Sequence, residues 1–272
     1  MKVTQIRNAT LVIEYGGSRF LIDPMLAPKE SMPGFAGTAN EHLRNPTVGL
    51  PLPLEHIVDV DAVIVTHTHT DHWDQTAAEA IPGGLPVFAQ HFSDRALIRD
   101  AGYVSLEDGA VHHVDGKTFS DVRVLTGNPE FQGVKLRKVP GQHGSDTALQ
   151  FAYDGLQEVC GVVFSHPDEK TLYLAGDTVW NDYVAANIAT YRPDVIILNA
   201  GDAQVPGLGN IIMNAEEVGA VCAAAPTATI IASHFEAVNH GVATRGELRH
   251  YLAAHGLSDR VLIPEDGETC AL

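Results

Sequence analysis

Apolar positions change texture twice along the chain. Over residues 3–22 they occur in short extended runs, 3–7, 11–15 and 19–22, the last two flanking Gly16-Gly17. Extended runs on either side of a two-residue glycine pair predict a β-hairpin, because the tight turn needs positive φ at its central positions. Asp23-Pro24 ends the second run. Residues 25–53 then hold five prolines and three glycines with little periodicity. A stretch of that length without regular structure inside a compact domain predicts a functional loop or lid.

From Asp61 short β-rich runs alternate with helical patterns. Ala62-Val63-Ile64-Val65 is continuously apolar, as expected of a strand covered on both faces. Residues 73–81 read as helix, stopped by Pro82-Gly83-Gly84; 86–89 as strand; and 93–101 as helix with Ser93 or Asp94 near its N-cap. Further β runs are predicted at 121–126, 133–139, 147–153, 159–164 and 171–175. The last third predicts helices near 181–190, 215–224 and 244–254 between strands 194–199, 228–232 and 260–263. There is no linker, low-complexity tract or repeat, so mixed β and α layers argue for a single domain over 1–272.

Charge narrows the function classes. Lys plus Arg is 17 against 34 for Asp plus Glu, a formal charge of -17. Nucleic-acid binding is carried by clustered cations, and adhesion to anionic membranes likewise, so both partners are disfavoured. The three cysteines, Cys160, Cys222 and Cys270, show no metal-knuckle or redox spacing. Glu14 interrupts the first apolar stretch, which argues against a signal peptide. The most apolar later stretch, 218–232, is broken by Pro226 and is too short to span a bilayer. A cytoplasmic location is expected.

The strongest chemical signal is Thr66-His67-Thr68-His69-Thr70-Asp71-His72, directly after the apolar run. A strand end delivers side chains to a sheet rim, and alternation turns His67 and His69 to one side, where two imidazoles hold one ion. Asp71 and His72, past the bend, are placed to turn toward a second ion. The bland alternative is a polar loop with a capping Asp71 and incidental histidines; four ligand-type residues in six positions argue against it.

This string resembles the metal-binding motif of the metallo-β-lactamase superfamily of hydrolases. Later strand ends resemble the family's other signatures, in order: His143 in Pro140-Gly-Gln-His-Gly144, Asp177 in Leu174-Ala-Gly-Asp-Thr178, and His234 in Ala232-Ser-His-Phe235. Leu21-Ile-Asp-Pro24 resembles the family's early strand, and the compact length resembles its L-ascorbate-6-phosphate-lactonase-like branch. The resemblance implies an α/β fold, the four-layer αβ/βα sandwich. It implies that His67, His69 and His143 hold one ion, that Asp71, His72 and His234 hold another, and that Asp177 bridges them. It further implies Asp71 as the catalytic residue that orients hydroxide.

Each later residue also has a plainer reading: His143 as an exposed loop histidine, Asp177 as the N-cap of the helix at 181–190. Asp23 is expected to orient a ligand histidine, against a role in opening an Asp-Pro turn. His240 is a candidate substrate-binding or proton-transfer group, and Asn199 either contacts a ligand or caps a turn. His112, His113 and His166 read as solvated, and Trp73 and Trp180 as core.

Together these readings predict a hydrolase with two divalent metal ions, zinc or manganese, with iron compatible. The expected substrate is a small molecule: an ester, a lactone or a phosphorylated metabolite. The alternatives are an iron-dependent oxidoreductase on the same fold, a nuclease or phosphodiesterase of the superfamily, and a non-catalytic metal-stabilised scaffold. Homo-oligomerisation stays open. The 25–53 segment, with His42 and Arg44, is expected to cover the rim and shape specificity.

Overall fold

In a computed structural model, which describes residues 1–156 and 158–272 with the side chains of 152–155 outside the description, Ala62–Val65 is a strand buried at all four positions. Successive strand side chains point to opposite faces. Ile64 packs with Phe20, Phe88, Phe164 and Ile197, whereas Val63 and Val65 pack with Trp73, Ala77, Ile81 and Ile98. Both faces are covered, which is what an unbroken apolar run encodes. Val195–Asn199 repeats the logic: Val195 and Ile197 join the central cluster, while Ile196 and Leu198 pack against Val184, Ile188, Val218 and Leu248.

Each of these strands lies inside a seven-stranded mixed sheet. The first runs Thr269–Ala271, Lys2–Arg7, Thr10–Tyr15, Ser18–Ile22, Ala62–Val65, Val87–Ala89, Val122–Val124. It is antiparallel through the N-terminal meander and parallel from Ser18–Ile22 onward. The second runs Val261–Leu262, Thr229–Ser233, Val195–Asn199, Leu172–Leu174, Cys160–Ser165, Val134–Pro140, Glu130–Phe131. The sheets face each other across one apolar cluster. Helices Gln75–Ala80 and Phe92–Arg99 cover the first outside; Asp182–Tyr191, Ala215–Ala224 and Arg245–Ala254 cover the second. This is the four-layer αβ/βα sandwich.

Strand direction gathers the motif residues. Val134–Pro140 is antiparallel to Cys160–Ser165, which is antiparallel to Leu172–Leu174. Leu172–Leu174 is in turn parallel to Val195–Asn199 and that strand to Thr229–Ser233. The C-terminal ends of Val134–Pro140, Leu172–Leu174, Val195–Asn199 and Thr229–Ser233 therefore meet at one rim of the second sheet, which includes Asn199 and is followed by His143, Asp177 and His234.

The predicted hairpin joins Thr10–Tyr15 to Ser18–Ile22 with Tyr15 opposite Ser18. Gly16 and Gly17 sit at φ 57° and 81°, the two positive values of a two-residue turn. One expectation is corrected. Residues 147–153 are not a strand but part of the helix Asp146–Leu156. Ser145 Oγ accepts from Ala148 N at 3.1 Å, and Ala148 and Leu156 share a face that packs on Ala203, Ile211 and Ile212. Phe151, within the run that reads as strand, is 73% exposed. A smaller correction concerns Phe92–Arg99, whose N-cap is His91 rather than Ser93 or Asp94. Among the described residues no helix is long and apolar enough to cross a membrane.

Candidate metal centre

Seven of the residues singled out in the sequence converge at the rim in two groups. Ligand-type atoms of His67, His69 and His143 lie within 4.8 Å of one another, as do those of Asp71, His72, Asp177 and His234. His67 Nε2 and His69 Nδ1 are 3.0 Å apart. Asp177 Oδ2 lies 3.2 Å from His72 Nε2, 3.7 Å from His143 Nε2 and 3.9 Å from His67 Nε2. The other oxygen is 3.8 Å from His234 Nε2, so one carboxylate touches both groups. Asp71 Oδ2 lies 3.3 Å from His234 Nε2 and 3.7 Å from His72 Nε2.

The surrounding hydrogen bonds fix these orientations. His143 donates Nδ1–H to Ile211 O at 2.8 Å, which leaves Nε2 as the lone-pair nitrogen facing Asp177. Asn199 donates to Asp177 Oδ1 at 2.6 Å. Asp23 accepts from Thr66 N and Thr66 Oγ1, both at 2.7 Å, and its Oδ2 lies 3.0 Å from His72 Nδ1. Asn181, not Asp177, caps the helix Asp182–Tyr191 by accepting from Tyr183 N and Val184 N, so the capping reading of Asp177 falls. His234 has φ 67°, a sharp bend after Ser233. A Cβ on Gly201 would collide with the His234 carbonyl oxygen, so only glycine permits this approach.

Asn8 belongs here and was not singled out in the sequence. It sits in the turn after Lys2–Arg7 with φ 54°. Its amide lies 3.3 Å from both Asp71 Oδ2 and His234 Nε2, while its carbonyl accepts from His234 N at 3.0 Å. An asparagine between two strands signals only a turn, so the sequence held no mark of this role. Of the other residues weighed, His112 and His113 lie on the exposed strand Val111–His113. His166 is partly exposed, and Trp73 is in the core.

The electrostatics suit divalent cations. Burial first, then neighbouring imidazoles, holds His67 well below its ordinary pKa, and burial brings His69 down to about 3. His143 is lowered by burial as well. All three are therefore neutral at pH 7, the form in which an imidazole can bind a metal ion. Burial pushes His72 down too, but Asp177, Asp71 and Asp23 together outweigh it and hold its pKa up. Burial would raise Asp71 and Asp177, yet the facing histidines hold both well below the carboxylate range. Three buried carboxylates thus converge, and among the described residues none is paired with Lys or Arg. His72 Nε2 is buried without a hydrogen-bond partner. A buried acidic cluster of this kind is stable when cations neutralise it.

A cavity of about 310 Å³ opens beside the groups. His69, Asp71, His143 and Asp177 line it together with the apolar side chains of Phe35, Leu156, Val205 and Ile211, and the described lining includes no Lys or Arg. Within the 25–53 segment it is Phe35 to Thr38 that reach the cavity, while His42 and Arg44 are exposed and lie outside it. His240 completes the lining, its ring 4.8 Å from that of Phe35 and edge-on to it. Its Nδ1 is buried without a partner, and burial lowers its pKa to about 4.

Residues 18–235 match the family model described as a beta-lactamase superfamily domain. The chain belongs to that superfamily. Among its relatives in the superfamily, the UPF0173 protein YddR of Bacillus subtilis (strain 168) is 42% identical over 270 residues, 99% of each chain. The crystal structure of an isothiocyanate hydrolase from Delia radicum gut bacteria is 46% identical and superposes with a TM-score of 0.91, over 100% of this chain and 99% of that one. A possible metal-dependent hydrolase from Veillonella parvula DSM 2008 is 39% identical, with a TM-score of 0.92 and the same coverage. These likenesses concern the superfamily and fold; they do not single out a lactonase-like branch.

Proposed function

We propose that this metal-dependent hydrolase of the beta-lactamase superfamily acts on a small, uncharged, largely apolar electrophile, for which an organic isothiocyanate is the model. The observation that carries the reading is the cavity: it is lined by Phe35, Leu156, Val205 and Ile211 beside imidazoles and carboxylates, with no cationic side chain in its described lining. A phosphorylated metabolite would find no Lys or Arg there to receive its phosphate. The 46% identity to an isothiocyanate hydrolase along the whole chain supports the same class.

In this reading His67, His69 and His143 hold one divalent cation, Asp71, His72 and His234 a second, and Asp177 bridges. Zinc and manganese suit the imidazole–carboxylate set, and iron is compatible with it. When bound, such cations supply Lewis acidity and acidify water near neutral pH. The chain's own residues do the rest. Asp23 holds His72 in place, and Asn199 and Asn8 hold Asp177 and Asp71. Asp71 accepts a hydrogen bond from the attacking water and orients it. Phe35, Leu156, Val205 and Ile211 receive the organic group and exclude bulk water. His240, neutral at pH 7, faces the substrate, takes one proton from the attacking water and passes it to the substrate nitrogen. For an isothiocyanate the balance is simple: water oxygen bonds to the central carbon, both water protons end on nitrogen, and the carbon–nitrogen bond breaks. The products are a primary amine and carbonyl sulfide.

The test is a substrate panel on purified, zinc-loaded protein: allyl and benzyl isothiocyanate, a γ-lactone, a thioester, and a phosphodiester. Amine release from the isothiocyanates at a kcat/KM at least about 100-fold above the phosphodiester rate, a gap of about 3 kcal/mol, is the expected result. Preferential turnover of the phosphodiester, or oxygen consumption by iron-loaded protein, overturns it.

A further inference from the structure

The segment 25–53 contains no helix or strand among the described residues, yet one buried residue from far along the chain organises its centre. Asn239 is 2% exposed. Its Oδ1 accepts from Phe35 N at 2.9 Å and Asn45 Nδ2 at 2.8 Å. Its Nδ2 donates to Thr38 Oγ1 at 2.9 Å and Ala39 O at 2.7 Å. Its backbone N donates to Asn45 Oδ1 at 2.8 Å, and its backbone O accepts from Asn40 Nδ2 at 3.2 Å. A side-chain amide has two donors and two acceptor lone pairs, so its whole capacity is committed to residues 35–45.

Further bonds extend the tie. Thr38 Oγ1 donates to Phe35 O at 2.7 Å. Ala39 N donates to Gln204 O at 3.1 Å, and Gln204 N donates to His240 O at 2.9 Å. Residues 35–45, the two-stranded hairpin of Gln204–Val205 with Gly209–Asn210, and the 239–240 turn are thus knitted together beside the cavity. Phe35, whose amide is held by Asn239, lines the cavity against the His240 ring.

We propose that Asn239 is a latch that fixes Phe35 as the roof of the cavity, so that the 35–38 stretch sets how large an organic group the site admits. Asn239 is a positioning residue in this scheme and Phe35 the specificity determinant. The choice of probe substrates rests on the isothiocyanate reading above; the latch itself does not. Four side-chain hydrogen bonds make asparagine specific at this position. Aspartate keeps the acceptors and loses both donations, and alanine loses all four.

The experiment compares metal-loaded wild type with Phe35→Ala, Asn239→Ala and Asn239→Asp in two ways. Amide hydrogen exchange over residues 35–45 reads the latch without any substrate. It should accelerate about 10-fold or more in Asn239→Ala, with Asn239→Asp between alanine and wild type. The second readout is kcat/KM across methyl, allyl, benzyl and 2-phenylethyl isothiocyanate. Phe35→Ala should raise the benzyl-to-methyl ratio about 10-fold, and Asn239→Ala should raise KM for the small substrates more than it lowers kcat. A mere displacement of His240 would instead depress the whole series alike. Unchanged exchange in Asn239→Ala, or an unchanged size ratio in Phe35→Ala, overturns the proposal. If Asn239→Ala does not fold, Asn239→Asp and Phe35→Ala, the latter at a partly exposed residue, decide it. Wild type inactive on every isothiocyanate contradicts the substrate reading alone, and the exchange result still decides the latch.

Discussion

The rim that carries the histidines and the segment 25–53 close the same cavity and are built on opposite principles. At the rim His67, His143, Asp177 and His234 sit one to three residues past the end of a strand, and His69, Asp71 and His72 follow on the loop that begins at His67, so sheet register fixes where the group lies. His67 follows Ala62–Val65, Asp177 follows Leu172–Leu174, and His234 follows Thr229–Ser233. The cap has no ladder to hold it. Beside the isolated Met32–Asn45 bridge and single backbone bonds to Ala237 and Gln204, it is positioned by side chains, chiefly Asn239, and by Arg7, which donates to Met25 O, Ala27 O and Val48 O from full burial. In the proposed reading chemistry rests on the sheet rim and selectivity on a segment that can alter without disturbing a sheet.

Perturbing the two regions should therefore give effects of different kind and size. The largest is expected from Asp177→Ala, because Asp177 touches both groups. Elemental analysis should show loss of at least one ion per chain, and kcat/KM should fall about 1000-fold or more, equivalent to about 4 kcal/mol. Unaltered metal content refutes the bridging assignment.

Next is a pH effect at the junction of rim and cap. Burial keeps His240 neutral down to about 4, whereas an unfolded imidazole protonates near 6.5. Between those values the unfolded chain binds more protons, so stability is intact above pH 6.5 and is lost as pH falls toward 4. The loss attributable to this group approaches about 3 kcal/mol. Denaturant unfolding of metal-free protein at pH 7 and pH 4 should therefore show a smaller acid loss in His240→Gln than in wild type. Equal losses would mean that the ring is not held neutral.

A third effect lies just behind the rim. Asp23→Asn keeps the shape but weakens the hold on His72, and a 10–100-fold drop in metal affinity or activity is expected; competition with a zinc-binding dye measures it. The smallest effect belongs to the outer cap. Arg44 is exposed and, among the described residues, bonds Glu30 O and Ser31 O beside a loose approach to Glu107. Arg44→Ala should change stability by less than about 1 kcal/mol and leave the substrate size profile unmoved. A shifted profile would extend the selective surface beyond Phe35–Thr38.

The same contrast explains what was legible in the sequence. His67, His69, Asp71, His72, His143, Asp177 and His234 stood out because ligand-type residues directly after buried apolar runs are conspicuous. The four-layer fold followed from the family resemblance, and alternation along Ala62–Val65 and Val195–Asn199 agrees with it. Asn8 and Asn239 left no trace, since an asparagine in a turn looks the same whether it shapes only the turn or holds a carboxylate 63 residues away. The helix Asp146–Leu156 reads as strand over residues 147–153 in the sequence, although Phe151 among them is exposed. Its cap, Ser145, was the discriminating mark. The cap segment was recognisable as a loop, but His42 and Arg44 were the residues that drew attention, and Phe35 is the one at the cavity.

The central claim is that the seven rim side chains hold two divalent cations, and the most direct measurement is a calorimetric zinc titration of metal-stripped wild-type protein at pH 7. Two equivalents per chain are expected, with the site made of His67, His69 and His143 abolished selectively by His67→Ala. Binding of one equivalent or none by folded protein, or two equivalents retained in His67→Ala, would contradict the account.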